Sequence, residues 1–141
     1  MLTRSILALC LLLSPAISIA SEALAYVSVY ECNADEINQD LVEMCSTQFP
    51  ELSHEAEDAL SAWRERNLTK TDAASKACAR ELSEKSKKAS VDDTSKVYAF
   101  IVDIKTKIHS TFLAKIQQKG RAPCLEAYTQ LKTPGGPMDI H

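Results

Sequence analysis

The stretch TSKVYAFIVDIKTKIHSTFLAKIQQK, residues 94–119, decides the fold class. Within it Val97, Ile101, Ile104, Ile108, Phe112 and Ile116 recur at three- and four-residue steps, the period at which side chains share one face of an α-helix. Asp92, Asp93 and Thr94 open the segment, where acids favour the positive end of the helix dipole. Gly120 stands where a C-terminal cap belongs. A long amphipathic helix of this kind must bury its apolar stripe against other elements, so its neighbours are read next.

Helical signals extend in both directions. Ahead of it, Thr71 or Asp72 can cap a helix over about 73–89, with Ala74, Ala77, Cys78 and Leu82 facing inward and Lys85, Lys87 and Lys88 near its negative end. Ser53 can cap another, carrying Ala56, Ala59, Leu60 and Trp63 as its stripe and ending near Asn67. Asn33 or Asp35 can start a first helix over about 35–48, with Ile37, Leu41, Cys45 and Phe49 on one face and Pro50 as its stop. Tyr26-Val27-Ser28-Val29-Tyr30 alternates and reads as a short extended arm. Beyond Gly120, Pro123 suits the first turn of a last short helix bearing Cys124, Tyr128 and Leu131. Thr133-Pro134-Gly135-Gly136-Pro137 ends regular structure, and residues 133–141 read as a mobile tail. The expected fold is therefore all-α, an up-and-down bundle of four main helices plus a short C-terminal helix.

The N-terminus reads as an export signal. Arg4 supplies a positive start, Ile6 to Leu13 is almost unbroken apolar sequence, and Ser18-Ile19-Ala20 offers small residues for cleavage. Cleavage is expected after Ala20, with Ala25 as the alternative, and residues 21–132 then form a single helical domain. The apolar run is shorter than the roughly 20 residues that span a bilayer, and no later segment is long or apolar enough to do so. The expected location is the periplasm or the exterior, with no stable membrane insertion once the signal is removed.

Cys10 leaves with the signal, so Cys32, Cys45, Cys78 and Cys124 remain, an even set that reads as two disulfides in an oxidising compartment. Residues 35–45, if helical, span about 15 Å. That separation disfavours a Cys32–Cys45 bond, which needs Cα atoms within roughly 7 Å. In an up-and-down bundle the first and third helices run parallel. The expected pairing is therefore Cys45–Cys78 with Cys32–Cys124, and the alternative is Cys32–Cys78 with Cys45–Cys124.

Charge is unevenly spread. Residues 21–66 carry 11 acids against Arg64 and Arg66, whereas residues 67–141 carry 13 bases against 8 acids. Acidic helices packed beside basic ones account for this more simply than a polarised surface does. The lysines at 85, 87, 88, 105, 107, 115 and 119 lack any nucleic-acid motif, so no nucleic-acid partner is expected.

Catalytic patterns are wanting. Only three glycines occur, which argues against phosphate-cradling loops and a strained nucleophile elbow. His54, His109 and His141 stand on separate segments without a paired-histidine metal motif, so no metal, cofactor or enzymatic activity is expected. Glu55, Glu57 and Asp58 read as a solvated first turn. The most distinctive cluster is Trp63, Arg64 and Arg66, residue types that dominate protein–protein hot spots and form the candidate partner-binding site. The plainer reading, which we favour, buries the ring and pairs the arginines with acids such as Glu43 or Asp58, while Asn67 ends the helix. Asn67-Leu68-Thr69 is also a formal glycosylation acceptor.

Cys45-x-x-x-Phe49-Pro50 followed by Ala59-x-x-Ala62-Trp63-x-x-Arg66-Asn67 resembles a pattern in small exported helical proteins of proteobacteria. The resemblance covers residues 45–67 and implies a bacterial periplasm; it brings no chemistry with it. The cysteine intervals do not fit the insect odorant-binding or plant pectinesterase-inhibitor patterns. The expected role is that of a non-enzymatic exported protein binding another exported protein, as an inhibitor, immunity or accessory factor. A carrier of a small apolar ligand among Ile101, Ile104, Ile108 and Trp63 is the alternative, and an enzyme whose site joins His109 to a carboxylate or serine comes third.

Overall fold

A computed structural model describes residues 14–141, with side chains from Ser28 onward; the apolar run expected as an export signal, up to Leu13, lies outside the described residues. The described chain is all-helical: α1 spans Ser14–Gln48, α2 Ser53–Ser86, α3 Val91–Lys119 and α4 Ala122–Lys132, with a 3₁₀ turn at Pro50–Leu52 between α1 and α2. Both candidate cleavage points, Ala20 and Ala25, fall within α1. No helix among the described residues is long and apolar enough to cross a membrane.

Three long helices and one short one replace the expected four and one. The break expected between Asn67 and Asp72 is absent, and residues 53–86 form one continuous helix. That stretch holds no glycine or proline, and its middle is rich in alanine, so nothing in the backbone interrupts propagation. Thr71, expected as a cap, instead returns its hydroxyl to the Asn67 carbonyl at 2.7 Å, a bond compatible with an unbroken helix. The expected arm Tyr26–Tyr30 is also helical. The chain does break stride where the first cap was expected: Asn33 has non-helical torsions (φ −130°, ψ 21°), and its side-chain amide donates to the Val29 carbonyl at 2.8 Å. An asparagine amide competing for a backbone carbonyl is a recognised cause of such a kink.

The continuous α2 also decides the cysteine pairing. Cys45 lies beside the α1–α2 turn, whereas Cys78 stands 25 residues beyond Ser53, about 38 Å along the helix axis. The expected Cys45–Cys78 and Cys32–Cys124 bonds are therefore replaced by Cys32–Cys78 and Cys45–Cys124, with Cα separations of 5.9 and 5.8 Å. Cys32 fastens the N-terminal part of α1 to the outer half of α2. Cys45 fastens the end of α1 to the start of α4, and both of its sulfurs' residues are fully buried.

The core gathers at one end of the molecule. Cys45, Ala56, Ala59, Trp63, Cys124 and Leu131 are fully enclosed, joined by Tyr128 and Ile116. Thus α1 packs on α2, α3 and α4, and α4 closes against all three long helices. Pro123 sits in the first turn of α4, and Gly120 adopts φ +63° to turn the chain between α3 and α4. The Ser90 hydroxyl caps α3 by accepting from the Asp93 amide at 3.1 Å. Away from this core the outer half of α2 is half-buried only along Ala74, Cys78, Leu82 and Ser86, while Ala77, expected to face inward, is exposed.

Residues 133–141, expected as a mobile tail, are docked. Gly135 takes φ +68°, and a Cβ on Gly136 would lie 2.9 Å from the Thr133 carbonyl oxygen, so both glycines are needed for the reversal. The reversal returns Met138, Asp139 and Ile140 to the core, where Ile140 is only 4% exposed.

Candidate functional site

The Trp63–Asn67 cluster is a structural hub. Trp63 is fully buried, and its indole Nε1–H donates to the Met138 carbonyl at 2.7 Å. The Tyr30 hydroxyl donates to the same carbonyl at 2.7 Å and accepts from the Asn38 amide at 3.0 Å. Burial pushes the Tyr30 phenol up to about 12, helped by the nearby Asp139 charge and opposed by the Asn38 hydrogen bond. Asn67 is 1% exposed and holds two adjacent residues of the returning tail: its amide donates to Asp139 Oδ1 at 2.7 Å, and its carbonyl oxygen accepts from the Ile140 amide at 2.9 Å. Arg66 donates to the Ala62 and Leu131 carbonyls and to Asp139 Oδ1.

Asp139 is held on all sides. Burial is the largest single influence and opposes its ionisation, but hydrogen bonds from Arg66, Asn67 and the Gly135 amide, with the Arg66 charge, outweigh it. The carboxyl therefore sits below the usual aspartate value.

Of the three residues of the candidate partner-binding site, Trp63 and Arg66 are engaged within the fold, and Arg64 stays partly exposed beside α1. Trp63 is interior and Arg66 is bound to the tail. Arg64 forms a two-pronged ion pair with Asp35, at 2.6 and 3.1 Å, and donates to Gln39 at 2.8 Å. The acids it meets differ from the expected Glu43 and Asp58 because α1 and α2 run antiparallel and bring Asp35 opposite Arg64. Asn67, buried within the helix, is closed to glycosylation in the folded state.

The surface holds a different feature. Two adjoining open grooves, of about 360 and 350 Å³, run between α1 and α3 and share Asp40 and His109. Their α3 wall comprises Val102, Lys105, Thr106, His109, Ser110 and Leu113; their α1 wall includes Glu43, Met44, Thr47 and Gln48. His109 is thus brought near carboxylates and a serine, but it makes no hydrogen bond to them among the described residues. Ser110 donates instead to the Lys107 carbonyl at 3.2 Å. No group of three metal-binding side chains occurs among the described residues. The carrier alternative required space among Ile101, Ile104, Ile108 and Trp63; these grooves include none of them, and Trp63 and Ile104 are packed.

Several lysines pair with acids three or four residues away, as in Lys85–Glu81, Lys87–Glu84 and Lys107–Asp103. The charge asymmetry is partly settled between helices by Lys105–Glu36 and Lys132–Glu55. Asp40 and Glu43, both exposed, have no ion-pair partner among the described residues. The fold and this surface define a doubly disulfide-stapled, all-helical domain with an open interhelical groove. Comparison with known proteins finds no match for it in any protein family, curated protein or solved structure.

Proposed function

We propose that this chain is an exported bacterial protein, periplasmic or secreted, that works by holding a protein partner rather than by catalysis, as an inhibitor, immunity or accessory factor. The observation that supports partner binding is the apolar surface of α3. Val91, Tyr98 and Val102, spaced seven and four residues apart on one face of α3, are 86%, 54% and 62% exposed on a scaffold otherwise fixed by two disulfides and a docked tail. Contiguous exposed apolar surface on a rigid domain marks an interaction face. Export is supported by the signal-like sequence before Ala20 and by paired cysteines, which persist in oxidising compartments. The resemblance of residues 45–67 to exported proteobacterial proteins points the same way.

Affinity capture of the tagged protein from a periplasmic extract tests the reading. Saturable recovery of one exported protein is expected, with the captured chain itself beginning at Ser21 or Tyr26. Recovery of no protein, together with a co-purifying lipid, would contradict it.

A further inference from the structure

The α1–α3 groove holds the unpaired acids, and an exposed apolar stripe of α3 runs into it at Val102. On α3, Val91, Tyr98, Val102, His109 and Leu113 recur at seven- and four-residue steps and so form one stripe, which Ile116 carries on into the core. Three of its members, Val91, Tyr98 and Val102, are 86%, 54% and 62% exposed. On α1, Glu36, Asp40 and Glu43 are spaced four and three apart and share a face. Glu36 is matched by Lys105 across the groove, but Asp40 and Glu43 are matched by nothing among the described residues. The groove therefore has an acidic α1 rim, and its α3 wall sets Val102 and Leu113 among Lys105, Thr106, His109 and Ser110.

We propose that this groove seats an amphipathic helix of a partner protein, with leucine-like side chains on the α3 stripe and lysines or arginines over Asp40 and Glu43. The proposal rests on the partner-binding reading and specifies its surface and chemistry. Helix-in-groove recognition uses anchors at three- and four-residue spacing, the same spacing that separates the two unpaired acids. From Val102 to Leu113 the stripe runs about 16 Å, and from Val91 about 33 Å, which suits a partner helix of roughly 12 to 20 residues. An acidic rim repels anionic lipid headgroups. It also disfavours a two-fold contact with a second copy, in which identical patches face each other. Attraction between rim and partner weakens with salt, whereas the apolar contact does not.

The test uses the purified, disulfide-bonded protein and synthetic peptides of about 18 residues. One is an amphipathic leucine–lysine helix, the second has the same composition in scrambled order, and the third replaces lysine by glutamate. Saturable one-to-one binding of the first is expected, with the other two weaker by about tenfold or more. The double variant Asp40→Lys/Glu43→Lys and the single variant Val102→Asp should each weaken binding of the first peptide by about tenfold. Phe100→Asp, on the opposite side of α3, should leave it unchanged; circular dichroism confirms that each variant is folded. Absence of saturable binding, equal binding of the scrambled peptide, indifference to both groove variants, or self-association through this face in sedimentation would each overturn the proposal. Capture from exported-protein extract separates it from the broader reading. A partner retained equally by the wild type and by Asp40→Lys/Glu43→Lys refutes the groove but keeps partner binding, whereas recovery of nothing by either removes both.

Discussion

Replacing Asn67 by alanine should cost about 3 kcal/mol, and most of that cost should vanish when the tail is removed. Asn67 loses three buried hydrogen bonds: to Asp139 at 2.7 Å, from Ile140 at 2.9 Å and to the Trp63 carbonyl at 2.9 Å. A bond to a charged acceptor contributes about 1.5–3 kcal/mol and a neutral one about 0.5–1.5. Relaxation of the tail into water recovers part of the total, which leaves about 3 kcal/mol of a typical 5–15. In a chain ending at Pro137, only the Trp63 bond remains to be lost, so the same substitution should cost about 1 kcal/mol. The coupling between residue 67 and residues 138–141 is therefore about 2 kcal/mol. Urea unfolding of the four proteins, followed at 222 nm with the disulfides intact, measures it, provided the m-values agree. A coupling below about 0.5 kcal/mol would refute the docked tail.

Other consequences follow from the same contacts. Because Asp139 is held below the ordinary aspartate value of 3.8, its contribution is complete above that pH and is lost as pH falls through the depressed value. The wild type should lose urea resistance below pH 3.8 more steeply than Asp139→Asn; parallel acid profiles would contradict the Arg66–Asp139–Asn67 arrangement. Ultraviolet titration should find one tyrosine ionising near 12, and Tyr30→Phe should remove that step. Replacing Cys45 and Cys124 by alanine frees a loop of 79 residues and should cost up to about 4 kcal/mol by chain entropy. Peptide mapping without reduction should return Cys32–Cys78 and Cys45–Cys124, and a Cys32–Cys124 peptide would overturn the pairing.

Much of the helical architecture is legible in residues whose effects are local. The 94–119 periodicity, Gly120 and Pro123 place the end of α3 and the first turn of α4, while α3 starts three residues earlier than expected, at Val91 behind Ser90; a stripe, a positive-φ glycine and an N-terminal proline act within one helix. Ala56, Ala59, Leu60 and Trp63 are all buried as their spacing implies. The failures are tertiary. Asn67 and Thr71 carry the residue types of a helix boundary, yet with no glycine or proline between residues 53 and 86 the helix continues, and Asn67 spends its amide on a segment 72 residues away. A break at Asn67 would put Cys78 on a helix parallel to α1, whereas the continuous α2 carries it to Cys32. Pro134–Pro137 reads as a mobile terminus, whereas Gly135 and Gly136 make a reversal that docks it. A polar Asn67 at a core position and an apolar Ile140 in a polar tail were the two signals of their contact. The groove was visible only as an excess of acid before residue 67; which acids stay unpaired depends on the α1–α3 register, which no local pattern encodes.

Hydrogen exchange tests most directly whether the α1–α3 groove is the binding face. With the leucine–lysine peptide bound, amide exchange should slow in residues 36–47 of α1 and 98–113 of α3, while residues 68–86 of α2 keep their rates. Protection confined to α2, or spread evenly over the helices, would contradict the account.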